Sequence, residues 1–371
     1  MTPIPVTVLT GFLGAGKTSL LNALLRDPAF AKTAVLINEF GDVPIDHDLV
    51  ATFSDQYVTT TTGCLCCTAS SEIKESLFDL WMRRTKREVG PFRRVIVETT
   101  GLADPAPVIN SLLAPGFSFV DRTVDGQFAL SRVITLFDIV NGDVTLDAHF
   151  EAVKQVALAD ALIMTKADLA NDPATKRDIA SSRSRLALMN PAARILDRHT
   201  DWCEIRALLL KQETYDLRTK GEDAIAWLRA EATSAALDHK HHHGSHSHHH
   251  ADRNRHGDDI RCHVLFFDEP ITPVAFYFFL DVLKMGAGAD LLRVKGLVAL
   301  TDDPSRPAIV HGVQHVIHLI DRLECWPSDD RRTRLVIIGR NLDIEAMRSL
   351  LMATRPKMRG AAAWPEKKRP T

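Results

Sequence analysis

The sequence is 371 residues long, is 45% hydrophobic and carries a formal net charge of −2. That length exceeds what one hydrophobic core usually holds, so two domains are expected. The near-neutral charge argues against a nucleic-acid partner, and no run of 18 apolar residues predicts a membrane span. Because MTPIPVTVL reads as a strand and not as a signal peptide, a cytoplasmic location is expected.

The first predicted elements are a strand over 5–9 and a helix over 19–25, joined by a glycine-rich turn. The stretch 9–18, LTGFLGAGKT, fits the phosphate-binding pattern G-x-x-x-x-G-K-[ST]. N–H groups at the helix N-terminus face an anion, the lysine adds charge for the β/γ oxygens, and the threonine hydroxyl suits Mg²⁺. The predicted nucleotide cradle is Gly11, Gly14, Ala15, Gly16, Lys17, Thr18 and Ser19.

Three cysteines stand in four residues, after strands predicted over 33–40 and 56–60. Cys64, Cys66 and Cys67 precede an amphipathic helix predicted over about 70–87. Two or three thiolates in one loop can bind a single ion, and thiolates suit Zn²⁺ and related metals. A ligand from elsewhere is needed, because adjacent cysteines make an awkward tetrahedral set. The alternative is that they are small buried core thiols.

A strand over 93–98 is followed by a loop with a glycine, and two prolines then start a helix. Glu98 is predicted to act on Mg²⁺, directly or through water, and the Gly101 amide to sense a γ-phosphate. Leu102 stands where Ras-type GTPases carry a glutamine that positions the attacking water, so slow hydrolysis is expected. The predicted catalytic group is therefore Lys17, Thr18, Glu98 and Gly101.

Strands and helices continue to alternate up to residue 210. The remaining predicted strands are 132–138, 161–169 and 193–196, and the helices lie near 147–158, 174–188 and 201–210. Such alternation favours a mostly parallel sheet covered on both faces. The prediction is an α/β P-loop NTPase domain over 1–213.

The segment TKAD (165–168) ends the predicted strand 161–169 and matches three of the four features of the guanine-reading pattern N-K-x-D. Asp168 can accept hydrogen bonds from the N1–H and amino group of guanine, while the stem of Lys166 stacks on the ring. Thr165 replaces the usual asparagine, which predicts weaker base affinity. Adenine lacks both donors, which argues against the rival function of an ATP-using kinase or transferase. A solvated Lys–Asp pair is the other alternative.

A predicted linker over 214–258 contains the stretch 239–256, which holds nine of the sixteen histidines. It has too few apolar residues to pack, so it is either a low-selectivity metal collector or an inert linker. A smaller α+β domain is predicted over 259–355, followed by a basic tail over 356–371. Its predicted strands are 261–267, 290–300, 308–319 (folded as a hairpin or edge pair) and 334–339, with helices near 273–285 and 343–353.

The other histidines and cysteines receive simpler interpretations. His311, His315 and His318 lie in a strand region at spacings that place them on alternating faces, so a shared metal site is not expected and a structural or client-facing role is. The remaining cysteines are isolated and predicted to pack in the core: Cys203, Cys262 and Cys325.

Together these motifs resemble the CobW-type metallochaperone GTPases, within the SIMIBI class of P-loop proteins. The resemblance covers nearly the whole chain and is carried by TGFLGAGKT (10–18), NEFGDVPID (38–46), GCLCC (63–67), ETTGLADP (98–105), TKAD, the histidine-rich segment, LLRVKGLVAL (291–300), GVQHVIH (312–318) and RLVIIGRNLD (334–343). It implies a GTP- and Mg²⁺-dependent switch whose cysteine motif binds zinc or cobalt and delivers it to a client metalloprotein. Glu39 is then the further metal ligand, and Asp42 is either another carboxylate ligand or a Mg²⁺ contact.

Two expectations stay open beside the resemblance. A homo-oligomer is compatible with it. The alternative function is a metal buffer or stress-responsive regulatory protein in which GTP only gates partner binding.

Overall fold

One β-sheet is formed by residues up to 197 and a second by residues from 260 onward. The computed structural model describes residues 3–38, 58–62, 69–171, 179–211, 260–314 and 316–353. The strands of the first sheet are β1 (Ile4–Gly11), β2 (Thr33–Asn38), β3 (Val58–Thr62), β4 (Arg94–Glu98), β5 (Phe128–Asp138), β6 (Ala161–Thr165) and β7 (Arg194–Asp197). All seven are parallel, in the order β3-β2-β4-β1-β5-β6-β7.

Helices cover both faces of this sheet, as the near-continuous apolar strands predict. They are α1 (Lys17–Leu25), α2 (Ala69–Thr85), α3 (Ala106–Leu113), α4 (Phe119–Gln127), α5 (Gly142–Ala148), α6 (Phe150–Leu158), α7 (Ile179–Met189) and α8 (Trp202–Leu210). Side chains alternate between two cores: Val6 and Val97 pack with α2, α3 and α4, whereas Leu9 and Ile96 pack with α1 and α8. The strands therefore all deliver their carboxyl ends to one edge.

The second sheet is antiparallel and belongs to a smaller α+β unit. Its elements are β8 (Ile260–Phe267), α9 (Pro273–Ala287), β9 (Leu291–Val298), β10 (Ala308–Val313), β11 (Val316–Arg322), β12 (Thr333–Arg340) and α10 (Ile344–Ala353). The strand order is β11-β10-β9-β12-β8. Helices α9 and α10 cover one face, and the other face packs on the helices α6 and α7 of the first unit. The predicted α/β plus α+β architecture is confirmed.

The interface between the two units contains a buried charge cluster. Asp160, between α6 and β6, lies 2.6 Å from Arg293 Nη2 and 2.9 Å from Lys295 Nζ. Both cations are buried, and the second carboxylate oxygen of Asp160 accepts a hydrogen bond of 2.8 Å from the Val133 N–H. One carboxylate therefore links β9 of the second unit to the sheet of the first.

Several predicted boundaries were wrong. The helix predicted over 147–158 is two helices, because the backbone of His149 is extended (φ −132°, ψ 114°). The strand predicted over 161–169 ends at Thr165, because Lys166 has a left-handed backbone (φ 62°) and a short 3₁₀ helix follows. Helix α4 was not predicted, although Ser118 and Asp121 form a reciprocal capping box at its start.

Predictions for the isolated cysteines and histidines also needed correction. Cys203 and Cys325 are exposed, and only Cys262 packs against a core, where burial raises the pKa of its thiol to about 12. Strands β10 and β11 form a hairpin in which His311 is paired with His318, so these two residues lie on neighbouring strands and not on one strand; His315 lies outside the described residues. Among the described residues no helix is long and apolar enough to cross a bilayer.

Candidate nucleotide site

The glycine-rich turn lies between the carboxyl end of β1 and the start of α1. Gly16 has a left-handed backbone (φ 91°) at the N-cap, and a Cβ on Gly11 would lie 2.6 Å from the carbonyl oxygen of Leu136. Both positions therefore require glycine. The buried Lys17 ammonium donates to the carbonyls of Gly11 (2.8 Å) and Phe12 (3.2 Å). A positive charge thus lies inside a turn whose N–H groups open toward the helix N-terminus.

A hydroxyl and a carboxylate meet beside this turn. Thr18 Oγ1 donates a 2.9 Å hydrogen bond to Glu98 Oε1, because β4 pairs with β1 and ends at the same edge. Glu98 is buried, with 5% of its surface exposed. These are hard oxygen ligands at the helix N-terminus, the donor set that Mg²⁺ prefers beside phosphate groups. Thr18 and Glu98 therefore fit a magnesium ion.

The loop after β4 is pressed against the glycine-rich turn. A Cβ on Gly101 would lie 2.5 Å from the backbone nitrogen of Leu13, so only glycine fits this contact. The buried side chain of Gln155 on α6 holds the loop from behind, donating from Nε2 to the carbonyls of Gly101 and Ala103, each at 3.1 Å. Leu102 occupies the position where Ras-type GTPases carry the water-positioning glutamine, and its side chain is exposed. Sequence reasoning missed Gln155.

The segment TKAD contacts the glycine-rich turn at its first residue and is exposed to solvent at its last. The buried Thr165 hydroxyl lies 2.8 Å from the carbonyl oxygen of Ala15, to which it can donate, and 3.2 Å from that of Phe137. This contact gives Thr165 a part in supporting the turn, in addition to the predicted role at the base. Asp168 is exposed, and His199 Nε2 lies 3.1 Å from its Oδ1 atom.

Asp138, at the end of β5, is a further residue that sequence reasoning missed. Its Oδ2 atom accepts hydrogen bonds from Lys166 Nζ (2.8 Å) and Asn141 Nδ2 (3.1 Å), and Oδ1 accepts one from the Val140 N–H (2.9 Å). Burial alone would raise the pKa of Asp138, but these hydrogen bonds outweigh burial and hold the pKa below its usual value. Asp138 therefore stays ionised and anchors the Lys166 ammonium.

A cavity of about 290 Å³ adjoins these groups on the β5 side of the turn. Its walls come from the glycine-rich turn, the ends of β5 and β6, and helices α5 and α6; the polar lining residues include Asp138, Asn141, Gln155 and Lys166. The cavity connects the residues that hold the 98–105 loop with those that hold TKAD.

The 98–105 loop also touches the second unit. Asp104 Oδ2 accepts hydrogen bonds from Lys154 Nζ (2.7 Å) and from Gln314 Nε2 (2.9 Å), and Oδ1 accepts from the Ala106 N–H (2.9 Å). Gln314 forms the turn between β10 and β11 with a left-handed backbone (φ 52°). A loop beside the glycine-rich turn is thus bonded directly to the hairpin of the second unit.

The predicted transition-metal ligands lie outside the described residues. These are Glu39, Asp42, Cys64, Cys66 and Cys67, together with the histidine-rich stretch 239–256. In the described ranges no group of three or more His, Cys, Asp or Glu side chains could hold a metal ion. The strands that precede the segments with these ligands are described: β2 ends at Asn38 and β3 at Thr62, and these two residues are paired.

The fold and this arrangement of loops define the class of protein: the chain is a P-loop GTPase. Residues 5–197 match the family model described as CobW/HypB/UreG, nucleotide-binding domain, and residues 260–355 match the cobalamin synthesis protein cobW C-terminal domain. The chain belongs to this CobW family.

Relatives support the same assignment over nearly the full length. The chain is 30% identical to the zinc chaperone YjiA of Escherichia coli K12, over 96% of this chain and 100% of that protein. It is 25% identical to the zinc-regulated GTPase metalloprotein activator 1 of Schizosaccharomyces pombe, over 92% of this chain and 83% of that protein. The crystal structure of Zn(II)-bound YjiA GTPase from E. coli matches with a TM-score of 0.65 at 26% identity, covering 96% of this chain and 100% of that one.

Proposed function

We propose that this chain is a zinc-handling GTPase that binds a transition metal at Cys64, Cys66 and Cys67 and delivers it to a client metalloprotein under control of the bound nucleotide. Zinc is the first candidate because relatives over the whole chain are named zinc chaperones, and cobalt is the second. Glu39 completes the proposed metal site, with Asp42 as an additional carboxylate.

The main support is the position of the strand ends. In the register of the first sheet, Asn38 lies opposite Thr62 and Ile37 lies opposite Glu98. Neighbouring strands are about 4.8 Å apart, so the end of β3 is about 10 Å from the end of β4. The cysteine segment follows β3 in the sequence. Glu39 follows β2, the strand that lies between β3 and β4 in the sheet. The two described strand ends from which the segments with the proposed ligands continue, Asn38 and Thr62, therefore lie within about 10 Å of Glu98.

In the proposed nucleotide site, Lys17 and the turn N–H groups hold the β- and γ-phosphates, and the Gly101 amide contacts the γ-phosphate. Mg²⁺, held by Thr18 and Glu98, would neutralise phosphate charge when bound. Asp168 reads the guanine edge, while Lys166 is kept in place by Asp138. The Leu102 side chain has no polar group to position a water molecule, so slow intrinsic turnover is expected.

The test compares the affinity for zinc and for cobalt in the presence of GDP and of a non-hydrolysable GTP analogue, by competition with a chelating dye. A switch requires that the two nucleotide states bind the metal differently, so a clear difference is expected. Equal metal affinities in the two nucleotide states would show that the nucleotide does not control metal binding. The variant Lys17→Ala, which should not hold the phosphates, serves as control and should show the same metal affinity with either nucleotide.

The alternative function, a metal buffer in which GTP only gates partner binding, has one specific point in its favour: nine histidines between residues 239 and 256. It predicts that deletion of 239–256 removes most of the bound metal. The chaperone proposal predicts that one tightly held ion remains and that Cys66→Ser with Cys67→Ser removes it.

A further inference from the structure

The loop that follows β7 contacts both the start of α1 and the segment TKAD, although no motif marks it. Its shape is set by two aspartates: Asp197 Oδ1 accepts hydrogen bonds from the N–H groups of His199 (2.8 Å) and Thr200 (3.2 Å), and Asp201 Oδ2 accepts one from the Asp197 N–H (2.8 Å). Such turns hold the intervening residues in one conformation. Arg198 and His199 are thereby presented along the sheet edge that carries the glycine-rich turn.

Arg198 extends to the first turn of α1. Its Nη2 atom donates to the carbonyl of Ser19 at 3.3 Å, and Nη1 lies 3.9 Å from the point where a side chain on Gly16 would begin. Its backbone N–H is fixed to the carbonyl of Met164 at 2.9 Å. The guanidinium therefore lies at the mouth of the phosphate-binding turn.

Among the residues that the structure describes, Arg198 has no acidic side chain as an ion-pair partner. A cation at the N-terminus of a helix is opposed by the positive end of the helix dipole. An anion between the helix and the guanidinium would remove both penalties, and phosphate oxygens match the planar fork of arginine.

The neighbouring residue indicates which part of a nucleotide this anion belongs to. Sheet order places Glu98 on the β4 side of the turn and the loop after β7 on the opposite side. His199 approaches Asp168 at 3.1 Å on that same side. The base end of the nucleotide is therefore on the side of Arg198, and the γ-phosphate end is on the side of Glu98.

We infer that Arg198 binds the phosphate nearest to the nucleoside, a group that GDP and GTP share. The inference rests on the proposed nucleotide site, in which the turn holds phosphates and Asp168 reads guanine. Since the contact is the same before and after hydrolysis, it contributes uniform binding and raises affinity without accelerating the chemical step.

The experiment measures the affinity of Arg198→Ala for GDP, GTP and guanosine, together with kcat and KM for GTP hydrolysis. Loss of a charged hydrogen bond predicts about tenfold to hundredfold weaker binding of GDP and GTP alike, with KM raised and kcat within about twofold of wild type. Guanosine, which has no phosphate, should bind the variant and the wild type equally. Arg198→Lys, which keeps the charge but loses the fork, should lie between them.

Arg183→Ala is the matched control, because Arg183 also donates to a single backbone carbonyl, that of Ile195, but lies on α7 away from the turn. It should leave nucleotide affinity unchanged. An Arg198→Ala variant that binds GDP as tightly as wild type, or that loses guanosine as strongly as GDP, overturns the inference. If the wild-type chain itself binds no guanine nucleotide, the proposed function fails, and the two failures are thereby distinguished.

Discussion

Replacing Gln155 by leucine should impair the recognition of GTP while leaving that of GDP intact. Gln155 is buried, and its amide donates to two carbonyls of the 98–105 loop, at Gly101 and Ala103. Leucine has a similar volume but no donor. The lost hydrogen bond to the half-buried Ala103 carbonyl costs about 1 kcal/mol, and the buried Gly101 carbonyl, left without a donor, costs about 1–3 kcal/mol. The held conformation of the loop is therefore destabilised by about 2–4 kcal/mol.

The assay compares GTP with GDP. If the loop must be held against the turn only when a γ-phosphate is present, a loss of 2 kcal/mol weakens GTP binding about 30-fold. The affinity for GDP should change by less than about twofold, and kcat/KM for GTP should fall with GTP affinity. Binding is measured by titration calorimetry with GDP and a non-hydrolysable GTP analogue.

A matched control separates loop positioning from general loss of stability. Asn190 is also a buried amide; its Nδ2 atom contacts the carbonyls of Val156, Ala157 and Ala159 at the C-terminal end of α6 and has no hydrogen bond to the 98–105 loop among those of the described residues. Asn190→Leu should lower the unfolding free energy by a similar amount without changing the ratio of GTP to GDP affinity. If Gln155→Leu leaves that ratio unchanged too, the argument that Gln155 positions the loop is refuted.

Two further predictions concern stability. Asp160→Asn leaves buried Arg293 and Lys295 facing a neutral amide, so the unfolding free energy should fall by about 3 kcal/mol in urea denaturation. The control Asp302→Asn, at a more exposed ion pair, should lower it by less than about 1 kcal/mol. Equal losses in the two variants would contradict the argument from burial. The folded-state pKa of Asp138 lies below the reference value of 3.8, so the stability it adds is present above that value and is lost as pH falls through the lower folded pKa. Denaturation midpoints from about pH 6 to about pH 2 should therefore fall more steeply for wild type than for Asp138→Asn, and parallel curves would contradict this.

The parts of the site that sequence predicts are those encoded by neighbouring residues. The glycine-rich turn needs a strand, glycines and a helix start within 18 residues, and the structure has all three. The end of β4 at Glu98 is likewise marked by a local pattern, whereas the strand predicted over 161–169 was too long and β6 ends at Thr165. That these ends share one edge follows from a parallel sheet, a fold class that alternation alone predicts.

The residues that sequence reasoning missed act over long separations or carry no pattern. Gln155 lies 54 residues from Gly101, and a glutamine in an amphipathic helix gives no sign of being buried. The bond between Asp104 and Gln314 spans 210 residues, so only the docked arrangement of the two units reveals it. Cys203 was predicted as core because cysteine is often buried, but on α8 the buried stripe is Ile205, Leu208 and Leu209, and Cys203 lies off it.

The contacts between the two units differ in how they relate to the nucleotide. Asp160 is fixed to the sheet through the Val133 N–H, so its bonds to Arg293 and Lys295 have no reason to change with the nucleotide. Asp104 belongs to the loop that Gly101 presses against the turn, and its Oδ2 atom bridges Lys154 and Gln314.

Any displacement of that loop must therefore alter the bond between Asp104 and Gln314, because one carboxylate oxygen serves both units. Since Asp160 keeps β9 in place through the buried cations Arg293 and Lys295, the movement would be confined to the turn between β10 and β11. In the proposed switch, the turn between β10 and β11 is thus the part of the second unit that a change in the 98–105 loop would reach directly.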